Sequence, residues 1–471
     1  MSKTEVSRRK FLQVGSAAFT LPLAAAVPLS AAAESPFGHG PHHELPSRPA
    51  HIPNRELPVR QRGTTVIPVD PPTDGVSDCS AVIQAAIDSL PEDGGTVLIK
   101  YHRTGGKVES VYMMNTTANQ QPDGKKAYYA LRLRSNMLLQ LEPGVQFQAM
   151  PNNVPRAYML LLQSINNVEI AGGAILGERY NHTSSGKGTD EWGFGISIAG
   201  STAVTIRNMF ISNFEGDGVC IAQSGSPTVV PSDIVLWKTR CVSNRRQGVS
   251  ITEANGVYLW DSEFSWTHGT APADGVDIEG TVSNVYIDRC LFDTNQGNGV
   301  ELNPGKTGKI QNINITNSVF TGNYAALYAS SGSANVMDTC TMYGNAIYQN
   351  RWKGLHTTGS VTKNFTIGGS SPCDPRNNSF ANNQTQYTHQ VMYPLTATDA
   401  KQGFAGGTDM EASAYVLSAD SNDIFGWNFY PAADGDNSNW PHPCGGPAWE
   451  NHDSHEDHGN GDDHGNNGGG Q

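Results

Sequence analysis

The chain has 471 residues, of which 37% are hydrophobic, 16% are charged and 51 are glycines, and its net charge is −13 at pH 7. That acidic balance excludes nucleic acid as a partner, because a phosphate backbone is bound by clustered Lys and Arg. Low charge and abundant glycine suit a turn-rich all-β chain better than a helical one.

Residues 1–33 read as a twin-arginine-type signal peptide. Ser7, Arg8, Arg9, Lys10, Phe11 and Leu12 precede the apolar stretch from Val14 to Ala33, and Ala31 to Ala33 offers a cleavage site. The expectation is export to the periplasm or the extracellular space. No later segment reaches the ~20 apolar residues that span a bilayer, so no transmembrane segment is expected in the mature chain. Residues 34–63 are rich in Pro and His without periodicity and read as a linker.

From Thr64 the pattern is globular. Ile83, Ala86, Ile87 and Leu90 fall at helical spacing, predicting a helix from Cys79 to Leu90 capped by Ser77 or Asp78. A strand from Thr96 to Ile99 follows the turn at Gly94 and Gly95. One amphipathic helix here suits the open end of a solenoid, which must be covered.

A phrase of the form Gly-Val-x-Ile then recurs. Its first glycines are Gly195, Gly218, Gly248, Gly275 and Gly299, at spacings of 23, 30, 27 and 24, and looser copies begin at Ala326 and Gly354. Such a period is the mark of a solenoid. Each copy has a second alternating run, such as Val204 to Ile206 or Val285 to Ile287, and several have a third, such as Cys290 to Phe292. Three short strands per repeat predict a right-handed parallel β-helix over residues 64–383, all-β apart from the N-terminal capping α-helix. Asn213, Asn244, Asn295, Asn323 and Asn350 recur just before the strand, where stacked amides can bond from coil to coil.

Residues 384–451 are irregular and read as an extension that packs on or caps the solenoid. Residues 452–471 form a His/Asp/Gly tail expected to be disordered. The seven cysteines cannot all pair internally. Most read as small buried residues, and Cys373 with Cys444 is the one pair considered for a disulfide.

If the coils stack in register, the x positions form an outward column about 4.8 Å per step. The column runs Ser197, Cys220, Ser250, Asp277, Glu301, Tyr328, His356. It makes Asp277 and Glu301 neighbours, with Glu279 on the same face, and period-two alternation turns Asp277 and Glu279 to solvent. Carboxylates that close raise one another's pKa and share a proton unless a cation neutralises them. Asp217 and Asp274 each precede the first glycine of their strand, and the stretch from Trp266 to Ala273 carries His268 over the patch.

The helix followed by Gly-Gly, the coil phrases, and the strings from Gly216 to Val219 and Gly275 to Glu279 resemble the pectate-lyase-like single-stranded right-handed β-helix superfamily. That resemblance covers roughly residues 64–383. It implies a polysaccharide partner and either lyase or glycoside hydrolase activity; a non-catalytic carbohydrate-binding or adhesion solenoid is the alternative. On this reading the catalytic candidates are Asp277, Glu301, Glu279, Asp274 and His268. Substrate-binding candidates are Asp217, Trp266, Arg245, Arg289, Tyr328, His356 and Lys353. Asp277, Glu279 and Glu301 are also candidate calcium ligands. A hydrolase needs one protonated acid and one carboxylate; a lyase on uronates needs a cation such as Ca2+ and a base, for which Arg245, Arg246, Arg289 and Lys353 are the candidates.

Overall fold

The computed structural model describes residues 56–358 apart from 73, 105–106, 109, 122–126, 185, 187–188, 226 and 331–335, together with 362–368, 378–381, 383, 391–396 and 424–430. Residues 1–33, the proposed disulfide pair and the C-terminal tail lie outside the described residues. Among the described residues no helix is long and apolar enough to cross a membrane.

Helix α1, Ser80–Asp88, buries Ile83 and Ile87 completely against the first coil. Asp78 accepts the Ser80 backbone N–H at 2.8 Å, so it supplies the capping oxygen read from the sequence. Beyond the helix the chain winds as a right-handed parallel β-helix with three parallel ladders. The front ladder includes the strands Ala157–Gln163, Phe194–Ala199, Asp217–Ala222, Val300–Asn303 and Ala325–Ser330. Two coils run through the corner between front and second ladder without a break, as Gln247–Trp260 and Val276–Asp288. The third ladder consists of three-residue strands such as Phe210–Ser212, Glu263–Ser265 and Leu291–Asp293.

Inward positions form one continuous core from Val69 to Ile367, and Phe264, Phe292 and Phe320 stack along it with centroids 5.5 and 4.5 Å apart. The stacking distance matches the coil repeat, so each ring lies over the next and packs at core density. Cys79, Cys220, Cys241, Cys290 and Cys340 are buried and form no disulfide among the described residues.

The amide ladder runs Asn295, Asn323, Asn350, Asn383, each Nδ2 donating to the next Oδ1 at 2.7, 3.1 and 2.8 Å. Thr267 fills the rung between Asn244 and Asn295, its N–H donating to Asn295. Asn213 stands one position early: the Phe214 N–H donates to Asn244 Oδ1, and Asn213 is a left-handed turn residue at φ 61°. A second ladder, Ser318, Asn345, Asn378, lies at another corner.

The packed chain begins before Thr64. Arg60, inside the stretch read as linker, is 7% exposed; its Nε donates to Thr205 Oγ1 at 2.9 Å and its Nη1 pairs with Asp233. Within the C-terminal extension, the strand Ile424–Tyr430 pairs in parallel with Thr362–Ile367 and Asn378–Ala381.

Candidate functional site

The front ladder holds the register read from the sequence. Ser197, Cys220, Ser250, Asp277, Glu301, Tyr328 and His356 are successive partners. Glu279 stands opposite Asn303. The residue before each first glycine forms a second outward column: Asp217 pairs with Gln247, and the next coils place Asp274 and Asn298 there.

Outward does not mean solvent-exposed here. Asp277 is 1% exposed, and Asp217 and Asp274 are fully buried, while Glu279 and Glu301 are part-exposed. Alternation separates the inside of a coil from its outside but does not say what covers the outside. Here the chain between the third ladder and the front ladder folds over the edge. His268 N–H bonds Asn244 O, and Arg179 reaches the Ser243 and His268 carbonyls at 2.8 and 2.5 Å.

Each buried carboxyl has a distinct partner set. Asp217 accepts from Ser250 Oγ at 2.8 Å and pairs with Arg246 Nη1 at 3.2 Å. Burial pushes its pKa up to about 6 against the pull of Arg246. Gln247 is fully buried; its Oε1 accepts the Asp274 N–H at 2.7 Å and its Nε2 donates to Asp277 Oδ2 at 2.9 Å. Asp277 Oδ1 is buried without a hydrogen bond. Burial, then Glu279 and Glu301, raises Asp277 well above the ordinary carboxylate range.

Asp274 is raised for the same first reason, followed by Glu301 and Asp277. Its Oδ2 makes no hydrogen bond of good geometry, so we read its link to Glu301 as close carboxyl approach, which raises Asp274 and lowers Glu301. Glu301 accepts from Asn298 Nδ2 at 3.2 Å and Asn303 Nδ2 at 3.4 Å, yet burial keeps its pKa raised overall. Burial opposes the charge on Arg246, but Asp217 and Asp277 outweigh it, so the guanidinium holds its proton more firmly than usual.

Other sequence candidates are placed elsewhere. Arg289 pairs with Asp261 at 2.6 Å and Asp288 at 2.5 Å at the end of the second ladder, off the front face. Arg245 pairs with Glu215 at 2.8 Å and caps the Thr189 carbonyl. His268 Nδ1 meets Trp266 O at 2.7 Å; burial and then Arg179 lower its pKa, and no carboxylate of the patch acts on it. Trp266 is 36% exposed on the same covering stretch. Tyr328 follows Glu301 in register. Lys353 and His356 keep their places in the ladder, and their side chains lie outside the described residues. Among the described residues no group of three or more His, Cys, Asp or Glu side chains converges to hold a metal ion. Asp277 Oδ2 and the two Glu301 oxygens accept from Gln247, Asn298 and Asn303.

Gln247, Asn298 and Trp192 were not read from the sequence. Extending the column of Asp217 and Asp274 through every coil would have found the first two. Trp192 is 42% exposed at the edge of the face, with the Arg156 guanidinium 4.8 Å from its ring centre.

Fold and site thus define a right-handed parallel β-helix with a buried acidic cluster on one face. Residues 179–384 match the family described as "Right handed beta helix region". The uncharacterized protein YclG of Bacillus subtilis (strain 168) is 27% identical over 221 residues, 42% of this chain and 38% of that protein. The SPbeta prophage-derived uncharacterized protein YorA of the same strain is 34% identical over 166 residues, 33% of this chain and 28% of that protein. The chain matches about a third of the length of these relatives. The A-module of mannuronan C-5 epimerase AlgE4 from Azotobacter vinelandii superposes with a TM-score of 0.49 at 13% identity, over 77% of this chain and 95% of that one.

Proposed function

We propose that this chain is an exported polysaccharide hydrolase in which Glu301 is the general acid and Glu279 the second carboxylate. The observation that carries the reading is the division of the acidic cluster: Glu279 and Glu301 meet the surface, while Asp274 and Asp277 lie buried behind them. A general acid must hold its proton near neutral pH, and burial raises Glu301 in that direction. Glu301 gives its proton to the glycosidic oxygen as the bond to the anomeric carbon breaks. Glu279 then either takes a proton from the attacking water or attacks that carbon itself, depending on the carboxyl separation.

Elimination fits less well. It needs a base that gives up its proton, and Arg246, the cation closest to the cluster, is held in its charged form by Asp217 and Asp277.

The test is a polysaccharide panel followed by new reducing ends and by the ultraviolet absorbance of unsaturated uronates. Reducing ends without absorbance are expected, and Glu301→Gln should slow their release by at least about 100-fold with the melting temperature unchanged. Absorbance rising with the reducing ends would replace hydrolysis by elimination, and binding without bond cleavage would make the chain an adhesin-like module.

A further inference from the structure

Four residues before the rung of Glu301 and Tyr328, the edge of the front face carries an aromatic pair that no role has yet absorbed. Tyr324 and Trp352 stack with centroids 4.9 Å apart and ring planes 20° from parallel. Their backbones are successive rungs: Tyr324 N–H bonds Gly297 O, and Trp352 N–H bonds Tyr324 O. Two near-parallel rings separated by one coil step turn their faces along the axis of the solenoid. Trp352 therefore covers one face of Tyr324, and the other looks toward the coil of Gly297, Asn298 and Glu301. Tyr324 is 44% exposed.

The residue that stands opposite Tyr324 in that coil is Gly297, whose carbonyl accepts the Tyr324 N–H and which has no side chain to lay over the ring. An exposed aromatic face backed by a second ring suits the C–H face of a pyranose.

We propose that Tyr324 is the platform of a sugar-binding subsite, holding one pyranose ring of a polysaccharide against its free face, four residues along the front ladder from the rung of Glu301 and Tyr328. The proposal rests on the polysaccharide reading above. It is tested on the full chain with cellohexaose, mannohexaose and a hexagalacturonide, by calorimetric titration and by KM on any polysaccharide that is cleaved. Tyr324→Phe should bind within about twofold of the wild type, and Tyr324→Ala about fivefold to tenfold more weakly, with unchanged melting temperature. Wild-type affinity in Tyr324→Ala, or no binding of any hexasaccharide, would overturn it. Should Tyr324→Ala fail to fold, Trp352→Ala, which removes the backing ring, must weaken binding instead; unchanged affinity there has the same overturning force. Tyr324-dependent binding without cleavage would reject the hydrolase reading and leave the platform standing, while cleavage at unchanged KM in Tyr324→Ala would reject the platform alone.

Discussion

At the scale of single residues the cluster is governed by which oxygen each carboxyl leaves free. The Gln247 amide has no freedom to flip, because its Oε1 is fixed by the Asp274 N–H and its Nε2 must then donate to Asp277 Oδ2. A donor to a carboxylate favours the charged form. Replacing it by the near-isosteric Gln247→Met should push the Asp277 titration further up in pH, read by carbon NMR of the Asp277 carboxyl with Asp277→Asn as the assignment control. An unmoved titration would show that the amide is merely packed there. Asp217 gives a second, independent pH effect. Its folded pKa of about 6 lies above the ordinary 3.8, so the native state binds the extra proton and stability falls as pH rises from about 4 to about 6. The shift of roughly two units corresponds to about 3 kcal/mol. Asp217→Asn cannot titrate, so its denaturation free energy should gain by that amount on the wild type between pH 4 and pH 7. Parallel curves for the two proteins would refute the assignment.

At the scale of elements the ladders decide what could be read from the sequence. Inward and outward positions of the front strands follow strict alternation, so the column from Ser197 to His356 was predictable from the Gly-Val-x-Ile phrase alone. The same alternation was blind to the side chains that crowd the outward face, Gln247, Glu279 and Glu301 among them, and hence to the burial of Asp277. Arg289 was misplaced because a charged residue beside a strand end points to whichever corner its turn builds, and that corner belongs to the second ladder. The asparagine ladder was visible as a repeated residue type, although Asn213 joined it only by proximity in sequence. Asn323 tests how much one rung contributes. Its Oδ1 accepts from Asn295, and its Nδ2 donates to Phe292 O at 2.9 Å and to Asn350. Asn323→Ala leaves several buried polar groups unpaired, each costing about 1–3 kcal/mol. A loss of at least about 3 kcal/mol in chemical denaturation is expected, and a loss below 1 kcal/mol, on the order of one exposed hydrogen bond, would mean that stacking of the flanking strands alone holds the coils.

At the scale of the whole molecule the solenoid is held lengthwise as well as coil by coil. Nearest-neighbour contacts join each coil only to the next, but the N-terminal strap reaches across several. Arg60 touches the coils of Thr205 and Asp233, and Arg62 pairs with Glu169 at 2.8 Å, which in turn holds Arg207 at 2.5 Å. The Asp233 side chain is 49% exposed, so that ion pair contributes little by itself. Thr205 is 1% exposed, so the bond from the buried guanidinium carries more, about 1.5–3 kcal/mol for a charged donor. Two truncated chains separate this strap from the sequence before it. One beginning at Val59 keeps both arginines and should melt where the full chain does. One beginning at Gly63 loses both and should melt a few degrees lower, the shift expected for a loss of that size in a large domain. Equal melting of the two would show that the arginines lie along the solenoid without tying it. A fall already present in the chain beginning at Val59 would move the true start of the fold still closer to the N-terminus.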